Sequence, residues 1–321
     1  MALIGKDIAY AKQVLDSGEL VAIPTETVYG LAGNALDAKA VASIFETKNR
    51  PSFDPLIIHV ASVTAVEQYV STFPEKLKAL ADKFWPGPLT LLLSRKEMVP
   101  DLVTSGLPRV AVRVPDHSLT RSLLSELDYP LAAPSANPFG YISPTQPAHV
   151  QLQLGDKINY ILDGGACKVG LESTIVGMEG EDVVIYRLGG LEVSEIEQVV
   201  GSVKIQDHSS SNPQSPGLLE SHYAPRKPFL LGNLQELISR CRYEQRDFAV
   251  LSFDQEFQEL PKERQIALSP TGDLREAAAN LFAAMRKLDQ SDAAVILAEK
   301  MPAKGLGLAI NDRLKRAAAQ G

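Results

Sequence analysis

The stretch RVAVRVP, residues 109–115, predicts a strand in the interior of an α/β domain. Its valines alternate with Ala111 and Arg113, so the valines share one face of the strand and Arg113 lies on the opposite face with Ala111. A buried arginine is unfavourable unless an acid balances its charge. Either an acidic residue of the chain or a carboxylate on a bound ligand would meet that requirement, and the sequence leaves both open.

Strand and helix patterns alternate on both sides of this stretch, which is typical of α/β folds. Residues 37–50 predict a helix capped by Asp37, residues 55–60 (PLIIHV) a strand, and residues 74–84 a helix that ends before Pro86. Further strands are expected at 20–24, 89–94, 131–134, 159–162, 173–178 and 183–188, and further helices at 7–17, 117–127 and 193–200.

A polar stretch separates two predicted domains. It reads DHSSSNPQSPGLLESHYAPRKP from Asp207 and contains four prolines and five serines. We therefore expect a first domain over 1–205, a linker over 206–228 and a smaller α/β domain over 229–321. The second domain carries strand signals at PFLLG, FAVLSF, QIAL and AAVILA, and helix signals from Asn233, from Asp273 to Leu288 and from Asn311 to Ala319. This order predicts a parallel sheet.

Composition excludes several classes of protein. The 321 residues include 32 Lys and Arg against 39 Asp and Glu, a net charge of −7, which excludes a globally basic protein that coats nucleic acid but not a local basic cleft. Cys167 and Cys241 form no CxxC pattern, so neither a disulfide framework nor a zinc site is expected. The longest uncharged stretch, 129–155, holds five prolines and predicts no membrane helix. The N-terminal residues soon take up an amphipathic helix pattern rather than that of a signal peptide, so we expect a soluble, cytoplasmic protein.

Familiar catalytic and phosphate-binding motifs are absent from the sequence. There is no GxxxxGK[ST], GxSxG or HExxH pattern and no set of kinase signatures. GLGLAI, residues 305–310, lacks the third glycine of a dinucleotide fingerprint and lies near the C-terminus. We interpret it as a tight turn between a strand and a helix.

Polar residues cluster in several short segments that follow or precede apolar strands. PTETVYGL at 24–31 places hydroxyl and carboxyl groups at a strand end, where ligands bind in α/β sheets, although a helix cap would use the same residues. In KNRPSFDPLIIHV at 48–60, Pro51 ends a helix and directs Lys48 and Arg50 toward a loop, where the two cations can hold a triphosphate. His59 lies within the strand that follows.

Two later segments add further polar candidates. APSANPFGYISPT at 133–145 offers hydroxyl and amide groups on a proline-stiffened loop of the kind that builds nucleotide sites. GLESTIV at 170–176 places Ser173 and Thr174 at a strand start. Arg187, before LGG, is expected at an exposed turn.

Taken together and in this order, these segments resemble the YrdC-type threonylcarbamoyl-AMP synthase family. The matching segments are PTETVYGL (24–31), KxRP (48–51), HV (59–60), WPGPLT (85–90), VAVRVP (110–115), APSAN (133–137) and ESTIV (172–176). SPGLLESHYAPRKP and GLGLAINDRLKRAA resemble the longer, two-domain members, so the resemblance covers nearly the whole chain.

The resemblance implies a fold and an activity. The fold would be a YrdC-like α/β domain with a twisted mixed sheet and helices, followed by a smaller Rossmann-like α/β domain. The activity would be that of a nucleotidyltransferase, L-threonylcarbamoyladenylate synthase. It would convert L-threonine, bicarbonate and ATP to L-threonylcarbamoyl-AMP and pyrophosphate, for threonylcarbamoyladenosine in tRNA. Mg²⁺ would arrive with ATP, with no metal cage on the protein. Downstream proteins would transfer the product to tRNA, and RNA binding by this acidic chain would be weak at most.

The resemblance also implies roles for individual residues. Lys48 and Arg50 would act as the catalytic pair that holds the ATP phosphates. The other ATP-binding residues would be Asp54, Ser135, Asn137, Ser143, Arg187 and His222. L-threonine would be bound by Thr27, His59, Arg113 and Ser173, with Arg113 on its carboxylate. Residues 215–223 would cover the cleft as a lid, with His222 or Tyr223 reaching ATP, although Glu220 is more acidic than the family pattern leads us to expect.

Two alternatives belong to other classes. An RNA-binding module would use Lys48, Arg50, Arg109, Arg113 and Arg121 as a patch that tracks phosphates. A carbamoyl-phosphate-using hydrogenase maturation protein shares the fold type. It would need zinc-finger cysteines and an acylphosphatase segment, and the sequence has neither.

Overall fold

Two sheets organise the protein, whose structure is a computed structural model that describes residues 1–206 and 223–319. The first sheet has eleven strands: β1 (Leu3–Gly5), β2 (Val21–Ile23), β3 (Gly30–Asn34), β4 (Ile57–His59), β5 (Leu89–Ser94), β6 (Arg109–Arg113), β7 (Leu131–Ala132), β8 (Tyr160–Leu162), β9 (Thr174–Glu179), β10 (Asp182–Arg187) and β11 (Lys204–Ile205). Their order in space is β1-β8-β2-β3-β7-β4-β6-β5-β9-β10-β11. Parallel pairs such as β4–β6 and antiparallel pairs such as β5–β6 both occur, so the predicted mixed sheet is confirmed.

Eight helices accompany this sheet in the described part of the chain. They are α1 (Ile8–Asp16), α2 (Ala38–Lys48), α3 (Val63–Val66), α4 (Glu75–Phe84), α5 (Asp101–Thr104), α6 (Ser118–Ser125), α7 (Pro147–Leu154) and α8 (Val193–Val200). Asp37 caps α2 as predicted, because its carboxylate accepts a hydrogen bond from the Lys39 backbone N at 2.8 Å. The helix ends at Lys48, two residues before the predicted limit, because Asn49 adopts the left-handed conformation and Pro51 follows.

The strand RVAVRVP has the predicted alternation. Val110 and Val112 pack in the main apolar core, whereas Ala111 packs on the other face with Ile57. Strand β4 runs parallel to β6 and places His59 opposite Arg113. Both polar side chains therefore lie on one face of the sheet, away from the main core.

The second sheet is smaller and fully parallel, as predicted. Its strands are β12 (Phe229–Leu231), β13 (Phe248–Ser252), β14 (Gln265–Ala267) and β15 (Val295–Ala298), in the order β12-β15-β13-β14. Its helices are α9 (Leu234–Tyr243), α10 (Leu274–Asp289) and α11 (Gly307–Ala318), with a short 3₁₀ turn at Lys262–Arg264. Helix α11 begins at Gly307, four residues before the predicted Asn311, so the last four residues of GLGLAI form the first turn of the helix. A Cβ on Gly307 would lie 1.9 Å from the Pro302 carbonyl oxygen, which explains the glycine.

The second unit packs against segments that surround the polar face of the first sheet. Ile142 and Leu171 belong to the same apolar cluster as Phe282 of α10. Gly170 has a φ of 74°, and a Cβ there would lie 2.5 Å from the Ala278 carbonyl oxygen, so the two units approach closely at this point. The predicted domain limits at residues 205 and 228 stay a prediction. Over the residues that the structure describes, no helix has both the length and the apolar character needed to cross a membrane.

Candidate active site

A cavity lies on the sheet face that carries His59 and Arg113. Seven residues predicted to bind ATP or threonine line it: Thr27, Arg50, His59, Arg113, Ser135, Ser173 and Arg187. Four others lie behind the wall: Lys48, Asp54, Asn137 and Ser143 are each 1% exposed or less and do not line the cavity. His222 and most of the predicted lid, residues 215–222, fall outside the described residues. The roles assigned to all twelve residues stay predictions.

Arg113 has an internal acidic partner, one of the two possibilities left open by the sequence. Its Nη2 pairs with Glu26 Oε1 at 2.5 Å, its Nη1 donates to Thr27 Oγ1 at 2.9 Å, and its Nε donates to the Gly87 carbonyl oxygen at 3.2 Å. The second carboxylate oxygen of Glu26 accepts the backbone N–H of Asp116 at 3.0 Å. Glu26 therefore balances the charge of Arg113 and fixes the orientation of its guanidinium.

His59 presents a neutral imidazole to the cavity. Its side chain is 2% exposed, and burial, together with the nearby Arg113 charge, lowers its pKa to about 3. The ring is therefore uncharged near neutral pH. A neutral imidazole can accept a hydrogen bond from an amine or hydroxyl without adding charge to the site.

Lys48 and Arg50 are buried rather than projecting into an open loop. Lys48 Nζ donates to the carbonyl oxygens of Ser135 and Asn137, and burial lowers its pKa, with the neighbouring Arg50 charge acting in the same direction. Arg50 Nη2 pairs with Asp54 at 2.9 Å, and only Arg50 of these two cations reaches the cavity. In this arrangement Lys48 positions the loop that carries Ser135.

Arg187 is 4% exposed, so the expected solvent-exposed turn is wrong for this residue. The pairing of β9 with β10 shifts register between Ile185 and Arg187. A one-residue shift moves a strand side chain to the opposite face, so Arg187 turns toward the cavity instead of following Ile185 into the main core. Its Nη2 then donates to Ser173 Oγ at 3.1 Å, and burial lowers its pKa to about 10.

Two residues of the cavity wall complete the site. Glu172, which the sequence did not single out as a site residue, is 6% exposed, and it accepts a hydrogen bond from Ser143 Oγ at 2.6 Å. Its signal was its place immediately before Ser173 in GLESTIV. Tyr223, one of the two residues proposed to reach ATP, is 1% exposed and stacks on Phe282 with ring centroids 5.5 Å apart.

The geometry bears on the other predictions. Lys48, Arg50 and Arg113 are at most 9% exposed, which disfavours an open groove that tracks an RNA backbone. Within residues 1–206 and 223–319, no group of three or more His, Cys, Asp or Glu side chains is placed to hold a metal ion. Cys167 and Cys241 are both buried free thiols.

Comparison with known proteins finds relatives that match nearly the whole chain. Residues 13–189 match the Sua5/YciO/YrdC family model, described as telomere recombination, and residues 191–319 match a model described as the C-terminal domain of threonylcarbamoyl-AMP synthase. The chain is 40% identical to the threonylcarbamoyl-AMP synthase of Pyrococcus abyssi, covering 97% of this chain and 93% of that protein. It is 39% identical to the Bacillus subtilis protein of the same name, covering 97% and 92%.

A solved structure extends the likeness to three dimensions. The crystal structure of P. abyssi Sua5 complexed with L-threonine is 38% identical, has a TM-score of 0.92, and covers 99% of this chain and 97% of its own. The two family models together cover residues 13–189 and 191–319, and the relatives are similar over nearly their full lengths. The chain belongs to the Sua5/YciO/YrdC family, in the two-domain form that carries a threonylcarbamoyl-AMP synthase C-terminal domain.

Proposed function

We propose that the protein is an L-threonylcarbamoyladenylate synthase. The threonine nitrogen attacks the carbon of bicarbonate and water leaves, which forms a carbamate. A carbamate oxygen then attacks the α-phosphorus of ATP, the bond to the bridging oxygen of the β-phosphate breaks, and pyrophosphate leaves. The names of the P. abyssi and B. subtilis relatives and the threonine bound to P. abyssi Sua5 support this reaction.

The observation that carries the proposal is the convergence of Arg50, Arg113 and Arg187 on one small cavity. All three substrates bring negative charge, and the second step develops more of it on the α-phosphate and on the leaving pyrophosphate. Preorganised cations in a water-poor site stabilise such charge far more strongly than cations in bulk water. No covalent intermediate is required, so positioning and charge neutralisation account for the catalysis.

The polar wall divides into two parts by chemistry. On one part, Arg113 would bind the threonine carboxylate while Thr27, His59 and Ser173 contact the amine and hydroxyl. Neutral His59 suits this role because the threonine ammonium must lose its proton before the nitrogen can attack. On the other part, Arg50 and Arg187 would hold the ATP phosphates, with Ser135 and the buried groups Lys48, Asp54, Asn137 and Ser143 shaping the pocket.

The same proposal covers the wider reaction. ATP serves as a substrate and brings its own Mg²⁺, which supplies additional charge neutralisation at the phosphates. The product is a mixed anhydride that water hydrolyses, so cytoplasmic proteins that transfer threonylcarbamoyl groups to tRNA would consume it. His222, together with Tyr223, would belong to the lid over ATP.

The test is a reconstitution with omissions. The purified full-length chain is incubated with ATP, bicarbonate and L-threonine, while pyrophosphate is followed enzymatically and the adenylate is identified by mass. We expect pyrophosphate release only with all three substrates, and a product with the mass of threonylcarbamoyl-AMP. Release that continues without threonine or in carbonate-free buffer would contradict the proposal. L-serine in place of threonine measures the selectivity of the amino-acid pocket.

A further inference from the structure

One arginine of the second unit is joined directly to the cavity wall. Arg313 on α11 is 0% exposed, and its Nε pairs with Glu172 Oε2 at 3.0 Å. Its Nη2 donates to the Leu188 carbonyl oxygen at 2.8 Å, so it also fixes the segment that follows Arg187. A residue near the C-terminus therefore meets residues from the middle of the chain at the wall of the proposed ATP pocket.

Glu172 connects Arg313 to Ser143 and to the cavity wall. Its other carboxylate oxygen accepts the hydroxyl of Ser143 at 2.6 Å, and its own side chain lines the cavity. A buried carboxylate at this position would repel the phosphates of ATP unless a cation balanced its charge. The charged and titratable groups that face it are Arg187 on β10, Arg313 on α11 and Tyr223.

Arg313 has the partners that such a counter-charge requires. Asp312 contacts its Nη1 at 2.5 Å, and the Tyr223 ring centroid lies 5.0 Å from its guanidinium carbon. Burial by itself would lower the pKa of Arg313, but Tyr223, Glu172 and Asp312 outweigh that effect and raise it, so the cation is permanent. One guanidinium thus contacts Glu172, the segment after β10 and the aromatic ring of Tyr223, which lines the cavity.

We propose that Arg313 is a positioning residue of the synthase site, which makes the second unit part of the active site. By balancing Glu172 it keeps the pocket favourable for the ATP phosphates, and through Glu172 it fixes the hydroxyl of Ser143. It also contacts the ring of Tyr223, which stacks on Phe282. This inference rests on the proposed synthase function and adds a named residue of the C-terminal unit to it.

The experiment uses the full-length chain and the variants Arg313→Met, Glu172→Gln and their combination. Arg313→Met should raise the KM for ATP about tenfold or more and leave the KM for threonine within about twofold, because the unbalanced carboxylate faces the phosphates. The double variant should recover most of the loss, since glutamine still accepts the Ser143 hydroxyl but carries no charge. The matched control is Arg316→Met, which removes another buried arginine of α11 that pairs with Asp312 but has no bond to Glu172 in the described structure.

The split between the two KM values separates positioning from a purely structural role, because a general loss of packing would change the KM for ATP and the KM for threonine together. Thermal melting checks folding. If Arg313→Met does not fold, Arg313→Lys keeps the charge and should show a smaller increase in the KM for ATP.

The outcomes distinguish a failure of the proposed function from a failure of the role of Arg313. Wild-type chain that releases no pyrophosphate refutes the proposed function, whatever the variants do. If the wild type is active, two results would overturn the role of Arg313. One is an equal change in the KM for ATP and the KM for threonine in Arg313→Met, and the other is no recovery in the double variant. Calorimetric titration of ATP into the same proteins repeats the comparison without turnover.

Discussion

Replacing Arg113 by lysine tests how the site holds threonine. The guanidinium uses separate nitrogens for Glu26, Thr27 and Gly87, whereas a lysine ammonium is a point charge that cannot reproduce this planar fork. In Arg113→Lys the ammonium would stay with buried Glu26, and the bond toward the ligand would be lost. A hydrogen bond to a charged group contributes about 1.5–3 kcal/mol, which corresponds to roughly 10- to 100-fold in the KM for threonine.

The assay is steady-state pyrophosphate release, with threonine varied at saturating ATP and ATP varied at saturating threonine. We expect the KM for threonine to rise by that factor and the KM for ATP to change less than threefold. Arg109→Lys is the matched control, because Arg109 lies on the same strand but contacts the Tyr186 hydroxyl at 2.8 Å instead of the cavity. Equal increases in both KM values, with unchanged melting temperature, would refute the assignment of Arg113 to threonine.

Three further predictions concern other walls of the cavity. Arg50→Ala should lower turnover about tenfold or more, and it should also lower the melting temperature because Asp54 stays buried without the Arg50 cation. Adding Asp54→Asn should restore the melting temperature but not the turnover. An unchanged rate in Arg50→Ala would exclude Arg50 from the ATP site. Arg187→Met should reduce kcat/KM for ATP about tenfold or more, since it removes a buried cation bonded to Ser173, and full activity would return Arg187 to a structural role. His59 has a folded-state pKa of about 3, below its ordinary value of 6.5. As pH decreases from 6.5 toward 3, the unfolded chain therefore binds a proton that the folded protein does not bind. The free energy of unfolding should fall by about 1.4 kcal/mol per pH unit over this range. Urea unfolding of His59→Gln between pH 7 and 4.5 should show a correspondingly flatter decline, and identical declines would contradict the buried neutral ring.

Local signals in the sequence predict most of the fold because they involve neighbouring residues. The Asp37 cap and the alternation in RVAVRVP each depend on a few adjacent positions, and the structure has both. Strand β3 has the sequence GLAGN, without a β-branched side chain, so its pattern does not indicate a strand. Helix α7 begins within a proline-rich, uncharged stretch, and for that reason its residues resembled a loop.

The site is harder to predict from the sequence, because its geometry depends on residues that are far apart in the chain. Arg113 and Glu26 are 87 residues apart, so the pattern shows that Arg113 needs an acid but not which one. The exposure of Arg187 depends on a register shift between β9 and β10, and strand alternation alone gives the opposite face. Motif order nevertheless selects segments that meet in space, because seven of the predicted residues line one cavity.

Arg313 belongs to the predicted C-terminal domain, yet it pairs with Glu172 in the cavity wall of the first domain. The predicted domain boundary therefore separates residues that we propose act together. An arginine in an amphipathic helix ordinarily faces solvent, and its partner Glu172 is 141 residues away, so nothing local indicates a role. Truncation after residue 205 would therefore remove three things at once: the predicted lid with Tyr223, the cation that balances Glu172, and the surface of α10 that packs against Ile142 and Leu171. Loss of synthesis in such a truncated chain does not by itself distinguish them. If Glu172→Gln restores ATP affinity to the truncated chain, the missing charge was responsible; if it does not, the lid or the lost packing carries the effect.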